Sequence, residues 1–250
     1  MSLGFDRKRC RSELLAKLLS GRTVLLLGPV GIGKTTMLRD LAEGLRARGV
    51  PCGMSPRTGT LGDVTAALAE AYPDVRGAAP TARSLRGSLR LAVEARPGVL
   101  LLDHLVAAGT ATRGFLRSLR GTGLGVAIAA DVEGPRERVR VRELHLGHDE
   151  LELPPFGTRT LARLLERGLT GLVLPGTVSE ADRRRLVEGA NGCPGRIVGL
   201  LSQIGRPRFW SDGRLLCSTL TSATLEALLP EPPPAARRRD VPEGNDPWAC

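Results

Sequence analysis

Residues 28–36 read "GPVGIGKTT", between an apolar run, "TVLLLG" (23–28), and an amphipathic one, "KTTMLRDLAEGLRARG" (34–49). The nonapeptide fits G-x-x-x-x-G-K-[ST] in the context that gives the pattern physical content, a buried strand leading into a helix. Glycines let the backbone fold close around an anion, so that successive N–H groups and the helix N-terminus point at it. Gly28, Pro29, Val30, Gly31, Ile32 and Gly33 are therefore expected to wrap nucleotide phosphates, with Lys34, Thr35 and Thr36 opening the helix behind them. Lys34 is expected to reach the β- and γ-phosphates, and the Thr35 hydroxyl to take a place on Mg²⁺. The alternative is a glycine-rich turn before an ordinary helix.

The alternation of strand and helix continues to about residue 156. "GVLLLDH" (98–104) and "LGVAIAAD" (124–131) read as strands, apolar throughout. "PCGMSPR" (51–57), broken by prolines, and "HDELELPPF" (148–156) are further strand candidates. Helices are expected over 61–72, 82–95 and 112–121, and one over 5–20 carries Leu14, Leu15, Leu18 and Leu19 at helical spacing. Uniformly apolar strands alternating with helices indicate an α/β fold, a parallel sheet sandwiched by helices.

From about 157 the character changes. "TRTLARLLERGL", "SEADRRRLVEGA" and "PGRIVGLLSQIG" read as three helices with no strands between them. Ser179 with Asp182 has the capping-box spacing. Asp212-Gly213 within "RFWSDGRLLC" (208–217) signals a hairpin, and a helix near 221–229 follows. The expected division is an α/β nucleotide-binding domain (1–156), a small helical lid (157–205), a hairpin-helix extension (206–229) and a flexible Pro/Arg-rich tail (230–250). There is no internal repeat.

The formal charge is +10, and the only lysines are Lys8, Lys17 and Lys34. A GC-rich genome accounts for arginine over lysine, but not for a surplus of base over acid. The surplus points to a polyanionic partner, nucleic acid first, against the alternative of a solvated basic surface. Apolar runs fall far short of the ~20 residues that cross a bilayer. The N-terminal stretch is charged throughout, with no secretory h-region, so a cytoplasmic protein with no membrane contact is expected. Cys10, Cys52, Cys193, Cys217 and Cys250 form no CxxC pair and have no histidine at ligand spacing. Buried thiols are expected rather than zinc ligands or disulfides.

"GVLLLD" ends in Asp103, which reads as the magnesium-side carboxylate, or else as a helix cap. With both motifs and the helical appendage in place, residues 5–205 resemble the AAA+ ATPases and the related STAND-type NTPases. Within them the chain is similar to bacterial helper ATPases of transposition and secretion modules and to origin-recognition ATPases. The resemblance makes 28–36 a Walker A motif and 98–103 a Walker B motif, and implies ATP and Mg²⁺ as ligands. "NGCPGRIVGLL" (191–201) is similar to the lid's Gly-x-Pro turn, where Arg196 would serve as sensor 2 toward the γ-phosphate. A Pro-Gly-Arg helix start is also plain capping.

Two positions depart from the family pattern. The sensor 1 position, usually a neutral Asn, Thr or Ser, is Asp131, and the position of the water-activating glutamate is His104. A neutral imidazole can accept a proton. His104 thus reads as a poor replacement giving a slow ATPase, as relieved by another acid (Asp131 or Glu133), or as the mark of an ATP-gated switch. Arginine-finger candidates are Arg136, Arg138, Arg140 and Arg142, or Arg113, Arg117 and Arg120.

The resemblance and the charge together imply an ATP-binding helper that oligomerises on itself and acts on duplex DNA or a DNA-bound protein. Phe209 and Trp210 are the only adjacent aromatics, which favours phosphate contact over base stacking. The alternative is a STAND-like regulatory switch with a protein partner and little turnover, its hairpin and "PPPAARRR" tail serving as docking elements. A small-molecule kinase fits poorly, because such enzymes keep a compact lid inserted within the core.

Overall fold

The computed structural model describes residues 3–56, 58, 60–76, 81–104, 109–132 and 149–228. In chain order the elements are α1 (Leu3–Leu19), β1 (Thr23–Gly28), α2 (Lys34–Arg46), β2 (Cys52–Ser55), α3 (Leu61–Ala71), α4 (Pro73–Arg76), α5 (Ala82–Ala95), β3 (Val99–Leu102), α6 (Thr110–Ser118), β4 (Gly125–Asp131) and β5 (Asp149–Glu152). Then come α7 (Thr158–Leu169), α8 (Glu180–Gly189), α9 (Pro194–Ile204), a hairpin of β6 (Trp210–Ser211) and β7 (Arg214–Leu215), and α10 (Cys217–Leu228).

The five strands β1–β5 pair in parallel in the order β2-β3-β4-β1-β5. Their pleat explains why they read as unbroken apolar runs. Leu25, Leu27, Leu100, Leu102, Val126 and Ile128 pack with Val64 and Leu68 of α3, Leu89 of α5 and Leu116 of α6. Val24, Leu26, Val99, Leu101, Ala127 and Ala129 share the other core with Leu14 and Leu18 of α1 and Leu38 and Leu41 of α2. Both faces are covered, so neither set can be polar. The edge strand β5 alternates half-buried and exposed residues instead.

β5 is shorter than the 148–156 expected. The N–H of Leu153 still donates to Leu27 at 2.9 Å, but Pro154 and Pro155 bring no N–H and the ladder stops. The last helix begins at Cys217 rather than near 221, and the short α4 was not expected. The hairpin forms at Asp212-Gly213, with φ of 49° and 72°, a pair of left-handed residues that suits the strand twist.

Residues 158–228 enclose a separate core. Leu161 and Leu165 of α7, Leu186 of α8 and Ile197, Leu200 and Ile204 of α9 pack together with Phe209, Leu215 and Leu220. The hairpin and α10 thus share one core with the three lid helices. The expected capping box is present: Ser179 Oγ accepts from the Asp182 N–H, and Asp182 accepts from the Ser179 N–H. Among the described residues no helix is long and apolar enough to cross a membrane, and Cys10, Cys52, Cys193 and Cys217 are buried and in no disulfide.

Candidate functional site

The parallel register sets Gly28 beside Asp131, so the glycine loop starts where β4 ends. Gly31 and Gly33 take φ of 78° and 99°, left-handed values at which a side chain is strained. Gly33 is the N-cap of α2 and no side chain caps that helix, so its first-turn N–H groups face the loop's hollow. The loop has the backbone geometry that an anion cradle needs.

Lys34 lies beneath the loop, only 5% exposed. Its Nζ donates to the carbonyls of Gly28 at 2.7 Å and Pro29 at 2.9 Å, and it pairs with Asp131 Oδ1 at 2.6 Å. An ammonium carries three protons, and three acceptors stand around this one.

Asp103 follows the last residue of β3. Its N–H donates to Ser55 at 2.9 Å, and its carbonyl accepts from the Thr58 N–H at 3.0 Å, so β2 pins the strand end. Its side chain is buried, 1% exposed. Oδ1 accepts from the His104 N–H at 3.0 Å, while Oδ2 is buried with no hydrogen-bond partner among the described residues. A buried acceptor-only oxygen left unmatched suits a cation. Asp103 and Thr35 line the same cavity of about 540 Å³, with Ser55, Arg39 and His104 in its wall. These residues fit Mg²⁺, with the Thr35 hydroxyl and the Asp103 carboxylate as holders. The cap of α6, the next described helix, is Gly109 rather than Asp103.

His104 takes a left-handed φ of 49°, a region that histidine tolerates better than most side chains. Its ring is half-exposed and stands between two carboxylates, Nδ1 3.4 Å from Asp131 Oδ2 and Nε2 3.9 Å from Asp103 Oδ2. Lys34, Asp131, His104 and Asp103 therefore form one charged cluster at the ends of β3 and β4 beside the loop. Glu133, the other acid considered, lies outside the described residues, as do Arg136, Arg138, Arg140, Arg142, Cys250 and the tail.

Arg196 sits in the first turn of α9, half-buried, and that turn meets the loop. The Gly195 N–H donates to the Gly31 carbonyl at 2.8 Å. Arg120, by contrast, borders a cavity beside Gly21, Arg22 and Thr23, at the opposite end of β1 from the loop.

Arg7 of α1 was not singled out by the sequence. Its guanidinium donates to the carbonyls of Ile32 at 2.7 Å and Pro154 at 2.8 Å, and lies 3.6 Å from the centre of the Phe156 ring. Burial pulls its pKa down to about 10. It ties α1, the loop and the lead into the lid together. A second cavity, of about 620 Å³, opens here between Arg7, Lys8, Arg11, Gly33, Thr36, Met37, Asp40, Phe156, Arg163 and Pro194. Thr35 and Arg39 face one cavity and Thr36, Met37 and Asp40 the other, so α2 and its loop divide two hollows.

No protein-family model and no curated protein matches the sequence. Solved structures do match. The Cdc6p protein of Pyrobaculum aerophilum superposes with a TM-score of 0.53 at 18% identity, over 79% of this chain and 60% of that one. The ORC1 protein of Aeropyrum pernix, solved in complex with DNA, gives 0.50 at 19% identity, over 88% and 65%. A DNA replication initiation factor gives 0.50 at 17% identity, over 78% and 59%. The chain has the AAA+ fold. It spans roughly three fifths of the length of these AAA+ proteins. The glycine loop, the strand order and the helical lid of this AAA+ fold account for where the charged cluster lies: ligands of an open parallel sheet bind beyond the carboxyl ends of its strands.

Proposed function

We propose that this chain is an ATP-binding AAA+-type ATPase, a nucleotide-gated helper that assembles on itself and acts on duplex DNA or a DNA-bound protein. The observation that carries the nucleotide site is the buried, unmatched Asp103 Oδ2, in one cavity with Thr35 beside an uncapped helix N-terminus. In this reading the backbone N–H groups of the loop from Val30 to Thr36 hold the phosphates, and Lys34 supplies the cation beneath them. The Thr35 hydroxyl and Asp103 hold Mg²⁺, which when bound offsets the charge that develops on the phosphoryl oxygens. Arg196 approaches from the lid toward the γ-phosphate. His104 receives the proton of the attacking water, and its imidazole, shorter than a glutamate and flanked by Asp131, makes turnover slow.

The DNA half of the reading rests on charge and analogy. The chain carries a formal charge of +10, and Arg159, Arg163 and Arg167 stand exposed at four-residue spacing along α7. The ORC1 protein of the same fold was solved in complex with DNA. Phosphate contact of this kind weakens steeply with salt.

The deciding experiment is steady-state ATP turnover by purified protein, with and without duplex DNA, using Lys34→Ala as the blank. Turnover that rises with DNA and vanishes in Lys34→Ala is expected. No turnover above the blank alongside tight ATP binding overturns the ATPase reading and makes the chain a switch. Turnover unaffected by DNA, and no salt-sensitive retention on a duplex DNA column, removes the nucleic-acid partner.

A further inference from the structure

The geometry points to Asp131 as the residue that sets which nucleotide the site prefers. Standing beside Lys34 where a third phosphate would need that cation, it makes a nucleoside diphosphate bind at least as tightly as the triphosphate. The inference rests on the reading of the loop as a nucleotide site and goes beyond it by assigning the preference within that site.

The carboxylate is fixed in place. Asp131 closes β4 opposite Gly28, and the next residue, Val132, donates its N–H to the Gly28 carbonyl at 3.1 Å. Its Oδ1 is 2.6 Å from Lys34 Nζ, and its Oδ2 faces His104 Nδ1 at 3.4 Å. The other two protons of Lys34 go to Gly28 and Pro29.

A β-phosphate has the loop N–H groups and the N-terminus of α2 besides Lys34, so sharing that cation with Asp131 costs it little. A γ-phosphate has two courses, and both cost it affinity. It can lie next to the carboxylate and share Lys34 with it, a like-charge contact. Or it can take Lys34 for itself, leaving Asp131, among the described residues, with the half-exposed His104 ring as its partner. The Asp131 side chain is 34% exposed, so water screens part of the repulsion and the effect is moderate. The neutral Asn, Thr or Ser expected at this strand end imposes neither cost. A formal charge at this position, held by the loop lysine itself, is the feature of this chain that the ordinary ATP site does not explain.

The test is calorimetric titration of the full chain with ADP and with a non-hydrolysable ATP analogue in the same Mg²⁺ buffer, for the wild type and for Asp131→Asn. In the wild type the ADP Kd is expected to equal or lie below that of the analogue. Asp131→Asn is expected to move the ratio about tenfold toward the triphosphate, the scale of one partly screened like-charge contact. A wild type that binds the analogue ten or more times tighter than ADP overturns the inference, and this arm needs no variant to fold. An unchanged ratio in a folded Asp131→Asn also overturns it. Binding of neither nucleotide to the wild type fells the nucleotide reading itself, a failure distinguishable from the other two.

Discussion

The N–H of Gly195 donates to the carbonyl of Gly31 at 2.8 Å, so the first turn of α9 rests directly on the glycine loop. A side chain on either glycine would crowd the other. A Cβ on Gly195 would lie 2.6 Å from Gly31 Cα, and one on Gly31 would lie 3.2 Å from Gly195 Cα. The lid and the loop therefore share one backbone contact, and a change on either side is felt on the other.

Gly195→Ala tests that coupling with little backbone strain, because a helical position accepts alanine. The added methyl meets backbone rather than a movable side chain, so α9 must lift or the loop must shift. A loss of about 1–3 kcal/mol in urea unfolding is expected, the usual cost of overpacking. Weaker ATP binding should accompany it. Unchanged stability and unchanged affinity together would mean that α9 does not rest on the loop in solution.

Asp103→Asn separates fold from metal binding. The substitution keeps the shape, and an amide oxygen can still accept from the His104 N–H, while the charge at the unmatched oxygen goes. The unfolding midpoint without ligand is expected to hold or rise, because no uncompensated buried charge remains. The ATP Kd, compared in Mg²⁺ and in EDTA, should differ for the wild type and coincide for the variant. A variant whose ATP binding still tightens with Mg²⁺ would show that the metal is held elsewhere.

These two residues illustrate what the sequence makes legible. Nine contiguous residues specify the loop, and doubly buried strands leave runs such as "GVLLLD" that no surface element would carry. Asp103 follows, because the strand end and the loop must meet at the carboxyl edge of the sheet. The Lys34–Asp131 pair was not legible, although the oddity of Asp131 was. Its contact depends on the parallel register that sets Gly28 against Asp131, and register between strands so far apart in sequence has no local signature. Arg7 was less legible still. Its acceptors are backbone carbonyls 25 and 147 residues away, and every residue, proline included, offers a carbonyl.

Arg7→Ala should therefore destabilise the chain although Arg7 is no part of the motif. It removes hydrogen bonds to Ile32 and Pro154 and the stack on Phe156. A cost of roughly 2–4 kcal/mol in chemical denaturation is expected from a charged hydrogen-bonding group with a desolvated ring contact. Arg7→Lys should recover less than half of it, because an ammonium cannot bridge two carbonyls and lie flat on a ring at once. Full rescue by lysine would reduce the role of Arg7 to its charge.

The last prediction concerns acid. Asp182 Oδ2 accepts from Ser179 Oγ at 2.6 Å and from the Ser179 N–H at 3.1 Å, and Oδ1 accepts from Cys217 Sγ at 3.3 Å. The side-chain hydrogen bond from Ser179 is the main reason its pKa falls below the ordinary aspartate value, with the Cys217 bond adding to it. Cys217 itself is pushed up to about 12, by burial first and then by Asp182, so it stays a protonated donor across the acid range. A carboxylate whose folded pKa is depressed stabilises the fold above its unfolded value of about 3.9 and loses that contribution as pH falls through the folded value. Asp182→Asn should then cost about 1 kcal/mol near neutral pH, the worth of a good helix cap. The difference from wild type should shrink at an acid pH below that depressed folded value, where the wild-type carboxyl becomes neutral too. Urea midpoints of both proteins at the two pH values measure it. A gap that stays constant from neutral to acid pH would mean that the charge of Asp182 contributes nothing to joining α8 to α10, and that its hydrogen bonds alone hold the cap.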